Sequence, residues 1–319
     1  MTIHQHNAAG IDLGSNTFRL LVANCSAGSF TVLSRKMATV RLGRNLEGQG
    51  QLHEEALLKG FAVLRTFREK LDLYQPQTLR ICGTEALRQA GNSPLFLRKA
   101  EEILQHPVEI ITSAEEARLS LAGILAGFTT KPLSGTLLLV DAGGGSTELI
   151  LAELPAGETR IKSVGLGVVS LAEKFLEAPQ ADIAGLDRLL AETLASASEK
   201  LKLLQYKQPV PILGCGGTAT SMAALDLNLS AYDASLVHGH VLEKKSMDKL
   251  WHRLMALPAD KRNALPCLGE GRGEILPAGI RIFLVLLKLL QQDRMSVSDT
   301  GLLEGIMLSS LPHSTAGTV

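Results

Sequence analysis

An aspartate, three glycines and a serine stand between two apolar runs in "LLLVDAGGGSTELILAEL", Leu137 to Leu154. These residue types can hold a phosphate and its counter-ion. Gly143, Gly144 and Gly145 permit positive φ and leave backbone N–H groups free to converge on one anion. Ser146 would add a hydroxyl donor. Asp141, at a strand end, would offer a carboxylate to magnesium, which commonly takes one or two carboxylates plus substrate phosphates. A matching phrase opens the chain: "AGIDLGSNTFRLLVANC" has Asp12, Gly14 and Ser15 in the same order, so Ser15 would add a second hydroxyl donor to the substrate and Asp12 a second, weaker carboxylate for the metal. The two aspartates lie 129 residues apart, which suggests a repeat at domain scale.

Two other nucleotide chemistries fail on spacing. A dinucleotide fingerprint needs G-x-G-x-x-G on a turn from strand to helix, whereas "DAGGGST" leads into β-branched and apolar residues that read as a strand. A Walker A loop needs G-K-[ST], which the chain lacks. A third glycine turn, "GCGGT", precedes a helix pattern in "ATSMAAL". Three such turns around one cleft would suit an extended phosphate chain.

The elements needed to position these turns alternate between strand and helix. Helix patterns at "EEALLKGFAVLRTFREKLDL", "SPLFLRKAEEILQH" and "SAEEARLSLAGILAGF" are interleaved with the strand patterns "LRICGT" and "VEIIT". That order predicts an α/β layered fold. "TTKPLSG" concentrates turn formers at residues 129–135. The expected domains are therefore 1–132, with the first hairpin, and 133–319, with the second hairpin and the glycine-rich turn. A length of 319 residues fits two cores, and an aromatic content of 4% makes them mostly aliphatic. Equal numbers of basic and acidic residues, 32 each, give no global attraction for nucleic acid. The four cysteines are far apart, as expected in a reducing cytoplasm. "GIRIFLVLLKLL" is interrupted by charge and too short to span a bilayer, so no membrane association is expected.

The ordered set "GIDLGSNTFRLLVA", "GTEALRQA", "ITSAEEARLSLAGI", "LLLVDAGGGSTELI" and "LGCGGTATSMAAL" resembles the exopolyphosphatase and guanosine pentaphosphate phosphohydrolase family. That family is similar in turn to the actin and sugar-kinase superfamily. The resemblance runs from about Gly10 to Leu311 and implies two ribonuclease-H-like domains flanking a cleft. It implies magnesium-dependent release of terminal phosphate from inorganic polyphosphate, or from guanosine pentaphosphate. It also implies a catalytic role for Glu116, substrate binding by Arg88, Asn16, Thr17, Gly216, Gly217 and Thr218, and metal or water support by Glu148. Longer family members continue into a further helical domain, and this chain resembles the short two-domain form. A homodimer is left open.

Competing readings stand beside these. Ser113 and Glu116 are spaced as a capping box, which would put Glu116 at N3, where the helix dipole favours the ionised carboxylate. A kinase on the same fold would need an acceptor-activating aspartate that the second half does not display. A non-catalytic polyphosphate or alarmone sensor would bind without turnover. "HGH" (His238 and His240), Lys244, Lys245 and Trp251 read as structural or solvated positions, Cys215 as a small spacer, and Arg272 as a residue within reach of the cleft.

Overall fold

The computed structural model describes residues 6–26, 29–155, 157–176 and 181–312. Two mixed sheets dominate it. The first contains β1 (His6–Leu13), β2 (Thr17–Ser26), β3 (Ser29–Thr39), β4 (Thr78–Gly83) and β5 (Glu109–Ile110), in the order β3-β2-β1-β4-β5. The second contains β6 (Gly135–Ala142), β7 (Thr147–Leu154), β8 (Thr159–Val164), β9 (Ile212–Cys215), β10 (Val241–Glu243) and β11 (Arg294–Val297), in the order β10-β11-β9-β6-β7-β8. Each sheet begins with a three-stranded antiparallel meander. Parallel strands then join its first strand: β4 on β1, and β9 on β6. The paired glycine phrases predicted this repeat, and its ribonuclease-H-like form is the one the family resemblance implied.

Both faces of each sheet are covered, so successive strand residues enter different cores. Ala9, Ile11 and Leu13 pack with Phe67 and Phe96 of the helices Glu54–Tyr74 and Ser93–Leu104, while Ala8 packs with Met307 on the other face. In the second sheet Leu138 and Val140 enter the largest core, and Leu139 faces Ala117 and Ile124. These last two belong to the helix Ser113–Gly127, whose Leu119 packs with Cys82 of the first sheet. That helix therefore lies between the sheets, with Glu116 in its first turn. The helix Leu302–Ser309 returns to pack on it and on β1. "VEIIT" forms a short edge strand at Glu109 and Ile110, extended by Ile111 N donating to Gly83 O at 3.1 Å. Among the described residues no helix is long and apolar enough to cross a membrane.

Candidate active site

The two hairpins are built alike. Gly14 N donates to Thr17 O at 3.1 Å, and Gly143 N donates to Ser146 O at 2.9 Å. The register sets Asp12 opposite Arg19 and Asp141 opposite Glu148. The hairpin tips touch across the cleft. A Cβ on Gly144 would come within 3.1 Å of the Asn16 nitrogen, and one on Gly145 within 2.7 Å of Ser15 Oγ. These glycines permit positive φ, but among the phosphate-turn glycines only Gly216 adopts it, at 72°. Close approach of two backbones is what excludes side chains at Gly144 and Gly145. The third turn follows β9, where the helix Gly216–Asp226 begins and presents its first N–H groups to the cleft.

Every predicted site residue except Arg88 lines this one cleft between the sheets. A larger groove of 1130 Å³, between the helices Ile183–Lys200 and Arg272–Leu289, shares no residue with it. Several hydroxyls expected to meet substrate already have protein partners. Ser146 Oγ donates to Glu148 Oε1 at 2.8 Å, and Thr218 Oγ1 donates to Ala142 O at 2.8 Å. Ser15 Oγ accepts from Ala86 N at 3.2 Å, which leaves its own proton available. An anion in the cleft is therefore offered chiefly backbone N–H groups.

The capping box expected of Ser113 and Glu116 does not form. Thr112 is the N-cap and accepts from Glu115 N at 3.2 Å, while Glu116 sits one residue deeper in the turn. Glu115 instead pairs with Arg80 on the first sheet. This frees the Glu116 carboxylate to accept from Arg88 Nη1 through Oε2 at 2.8 Å. Burial, and then the charge of Glu148, raise the Glu116 pKa against the pull of Arg88, which corrects the expectation of a low-pKa carboxylate. Arg88 is not free for substrate here: it also binds Ile111 O at 2.6 Å and Glu85 Oε2 through Nε and Nη2, at 2.9 and 2.5 Å.

The metal expectation has a donor set that suits it. Asp12 Oδ2 is taken by Arg19 at 2.6 Å, but its buried Oδ1 has no hydrogen-bond partner among the described residues. Asp141 lines the same cleft, and burial raises its pKa, opposed by Arg19 and by the Cys215 thiol. Cys215 lies opposite Asp141 in the sheet register, and burial and then the Asp141 charge raise its thiol pKa, so the thiol stays protonated there. Glu148 is raised by burial and then by Asp141, and is steadied by Ser163 and Ser146. Among the described residues no group of three or more His, Cys, Asp or Glu side chains forms a metal cage. Two carboxylates fit an ion that keeps its waters and shares substrate oxygens, as magnesium does.

Two residues of the site escaped sequence reasoning. Arg19 stands seven residues after Asp12, as Glu148 stands seven after Asp141, so hairpin register alone would have found it. Glu85, in "GTEALRQA", carries no comparable signal. Arg272 does reach the cleft, where burial and Arg19 lower its pKa to about 10, and it makes no ion pair among the described residues. His238 and His240 diverge: the first stacks on Phe128 at 4.2 Å, and the second meets Asp226 at 2.8 Å. Trp251 is buried under Arg281, which lies 4.9 Å from its ring.

The sequence profile of the Ppx/GppA phosphatase family matches residues 21–314. The chain belongs to that family. It is 32% identical over 311 residues to a guanosine-5'-triphosphate,3'-diphosphate pyrophosphatase of Vibrio vulnificus, covering 95% of this chain but 59% of that protein. The chain thus spans little more than half the length of this family member. Against exopolyphosphatase 2 of Mycobacterium tuberculosis it is 28% identical over 317 residues, covering 94% of this chain and 97% of the other. The crystal structure of the Aquifex aeolicus Ppx/GppA family member superposes with a TM-score of 0.77 at 29% identity, covering 96% of this chain and 97% of that one.

Proposed function

We propose that the chain is an exopolyphosphatase that hydrolyses the terminal phosphate of inorganic polyphosphate with magnesium. The observation that carries this reading is a buried carboxylate, Glu116, opening onto the same cleft as three glycine turns and the Asp12–Asp141 pair. Arg88 occupies Glu116 Oε2, so Oε1 is left to accept a proton from an attacking water. The raised pKa makes Glu116 a stronger base than a surface carboxylate. Backbone N–H groups of Gly144, Gly145, Ser146 and Gly217 would receive charge on the transferred phosphoryl oxygens, the Gly143 N–H being held within the turn by Ser146 O. Asp141 and Asp12 would hold the magnesium ion, whose charge polarises those oxygens when it is bound. Arg272, without an ion pair, would meet the next phosphates of the chain. The mycobacterial relative's name, and its match along nearly its whole length, support polyphosphate.

A second reading is favoured by one observation. A cavity of 450 Å³ adjoins the cleft, shares Arg19, Gly217 and Arg272 with it, and is walled in part by Met37, Tyr232 and Leu268. Such a mixed wall would receive a nucleoside attached to the phosphates, which suits guanosine pentaphosphate and the activity named for the Vibrio relative. Phosphate release from long polyphosphate, short polyphosphate, guanosine pentaphosphate and ATP, with magnesium and with chelator, separates these readings. Polyphosphate is expected to give the highest kcat/KM. Preference for guanosine pentaphosphate would establish the second reading, and tight binding without release would make the protein a sensor.

A further inference from the structure

We infer that Glu85 is a positioning residue that sets the Glu116 carboxylate through Arg88, an inference that rests on the proposed reading of Glu116. Glu85 opens the five-residue helix Glu85–Gln89, beside the cleft. Its Oε2 accepts from both Nε and Nη2 of Arg88, and its Oε1 accepts from Gln89 at 2.5 Å. With one edge of the guanidinium fixed, Nη1 points at Glu116 Oε2 and Ile111 O. Four of the five guanidinium N–H groups are thereby committed to protein. The three charged side chains are 12–19% exposed, so the row is partly desolvated, unlike an ordinary helix-surface pair.

Glu85 also touches the other jaw. A Cβ on Gly145 would come within 2.9 Å of Glu85 Cγ and 3.0 Å of its Cβ, so the second glycine turn rests on the Glu85 stem. One side chain therefore connects the turn expected to grip phosphate with the arginine that aims the water-activating carboxylate. Without the Glu85 charge, Arg88 keeps only its Nη1 bonds to Glu116 and Ile111 O, the Nε–Nη2 edge is released, and the Glu116 carboxylate is oriented less firmly. Substrate binding, which belongs to the backbone turns, stays.

The test is a double-mutant cycle of Glu85→Gln and Arg88→Lys, read by phosphate release and by side-chain NMR. Glu85→Gln is expected to lower kcat about tenfold with KM within about twofold of wild type, and to change kcat less than about twofold when Arg88 is already Lys. The Arg88 Nε–H resonance, protected from solvent exchange in the wild type, is expected to exchange rapidly in Glu85→Gln while the melting temperature holds. A raised KM with unchanged kcat, additive losses in the cycle, or an unaltered Arg88 resonance would overturn the inference. If the wild type releases no phosphate from any substrate, the proposed function fails, and the resonance alone decides whether Glu85 holds Arg88.

Discussion

At Glu116 the helix start and the cleft compete for one side chain, and a shift of one residue decides the outcome. Thr112 rather than Ser113 caps the helix, so Glu115 lies at N3 and Glu116 turns inward to Arg88. Spacing alone could not separate two threonine/serine candidates next to two glutamates; burial does. The cleft then gathers Glu116, Asp141 and Glu148, all with raised pKa values, burial being the first cause in each case. A folded state that holds these protons more tightly than the unfolded chain loses stability as pH rises through the raised values. In chelator the melting temperature is therefore expected to fall between about pH 4.5 and about pH 8. Magnesium should flatten that slope, because a cation favours the ionised carboxylates. A melting temperature that climbs with pH in chelator would contradict the electrostatic account. Asp141→Asn should remove part of the slope and weaken the magnesium response, as read by thermal unfolding at both ends of the range.

At the scale of elements, the site depends on two close approaches. The first is between the hairpin tips. Gly144→Val would push the second turn away from Asn16, and it is expected to lower kcat/KM by about tenfold or more, since misplacement of about 1 Å costs up to about a hundredfold. The second is the crossing of the helices Ser113–Gly127 and Leu302–Ser309. A Cβ on Gly305 would overlap the Leu119 carbonyl oxygen, and one on Gly123 would overlap the Gly301 carbonyl oxygen. Gly305→Ala is expected to destabilise the fold by about 1–3 kcal/mol, the usual cost of overpacking. An unchanged denaturant midpoint would show that the crossing has slack. Neither approach was legible from the chain, because a glycine chosen for contact looks the same as one chosen for φ. The strands and long helices were legible: Ala56, Gly60, Leu64, Phe67 and Leu71 recur at helical spacing on the buried side of their helix.

For the whole molecule, the repeated phrase at Asp12 and Asp141 correctly implied two similar sheets facing one cleft, since each hairpin supplies one jaw. The two jaws are unequal in charge, however. Seven residues beyond its aspartate, the first carries Arg19 and the second Glu148, so one side offers a cation and the other a carboxylate to whatever lies between. This asymmetry suits an anion chain with a divalent cation at one end. Such a ligand should stabilise the folded protein by mass action, so pyrophosphate and magnesium together are expected to raise the melting temperature by more than the sum of their separate shifts. Additive or absent shifts would argue against a shared site. The most direct measurement of the central claim is magnesium-dependent phosphate release from polyphosphate by the wild type and by Glu116→Gln. The wild type is expected to turn over, and the variant to lose about a hundredfold or more in kcat while still binding polyphosphate. Wild-type turnover by Glu116→Gln would show that the water is activated elsewhere.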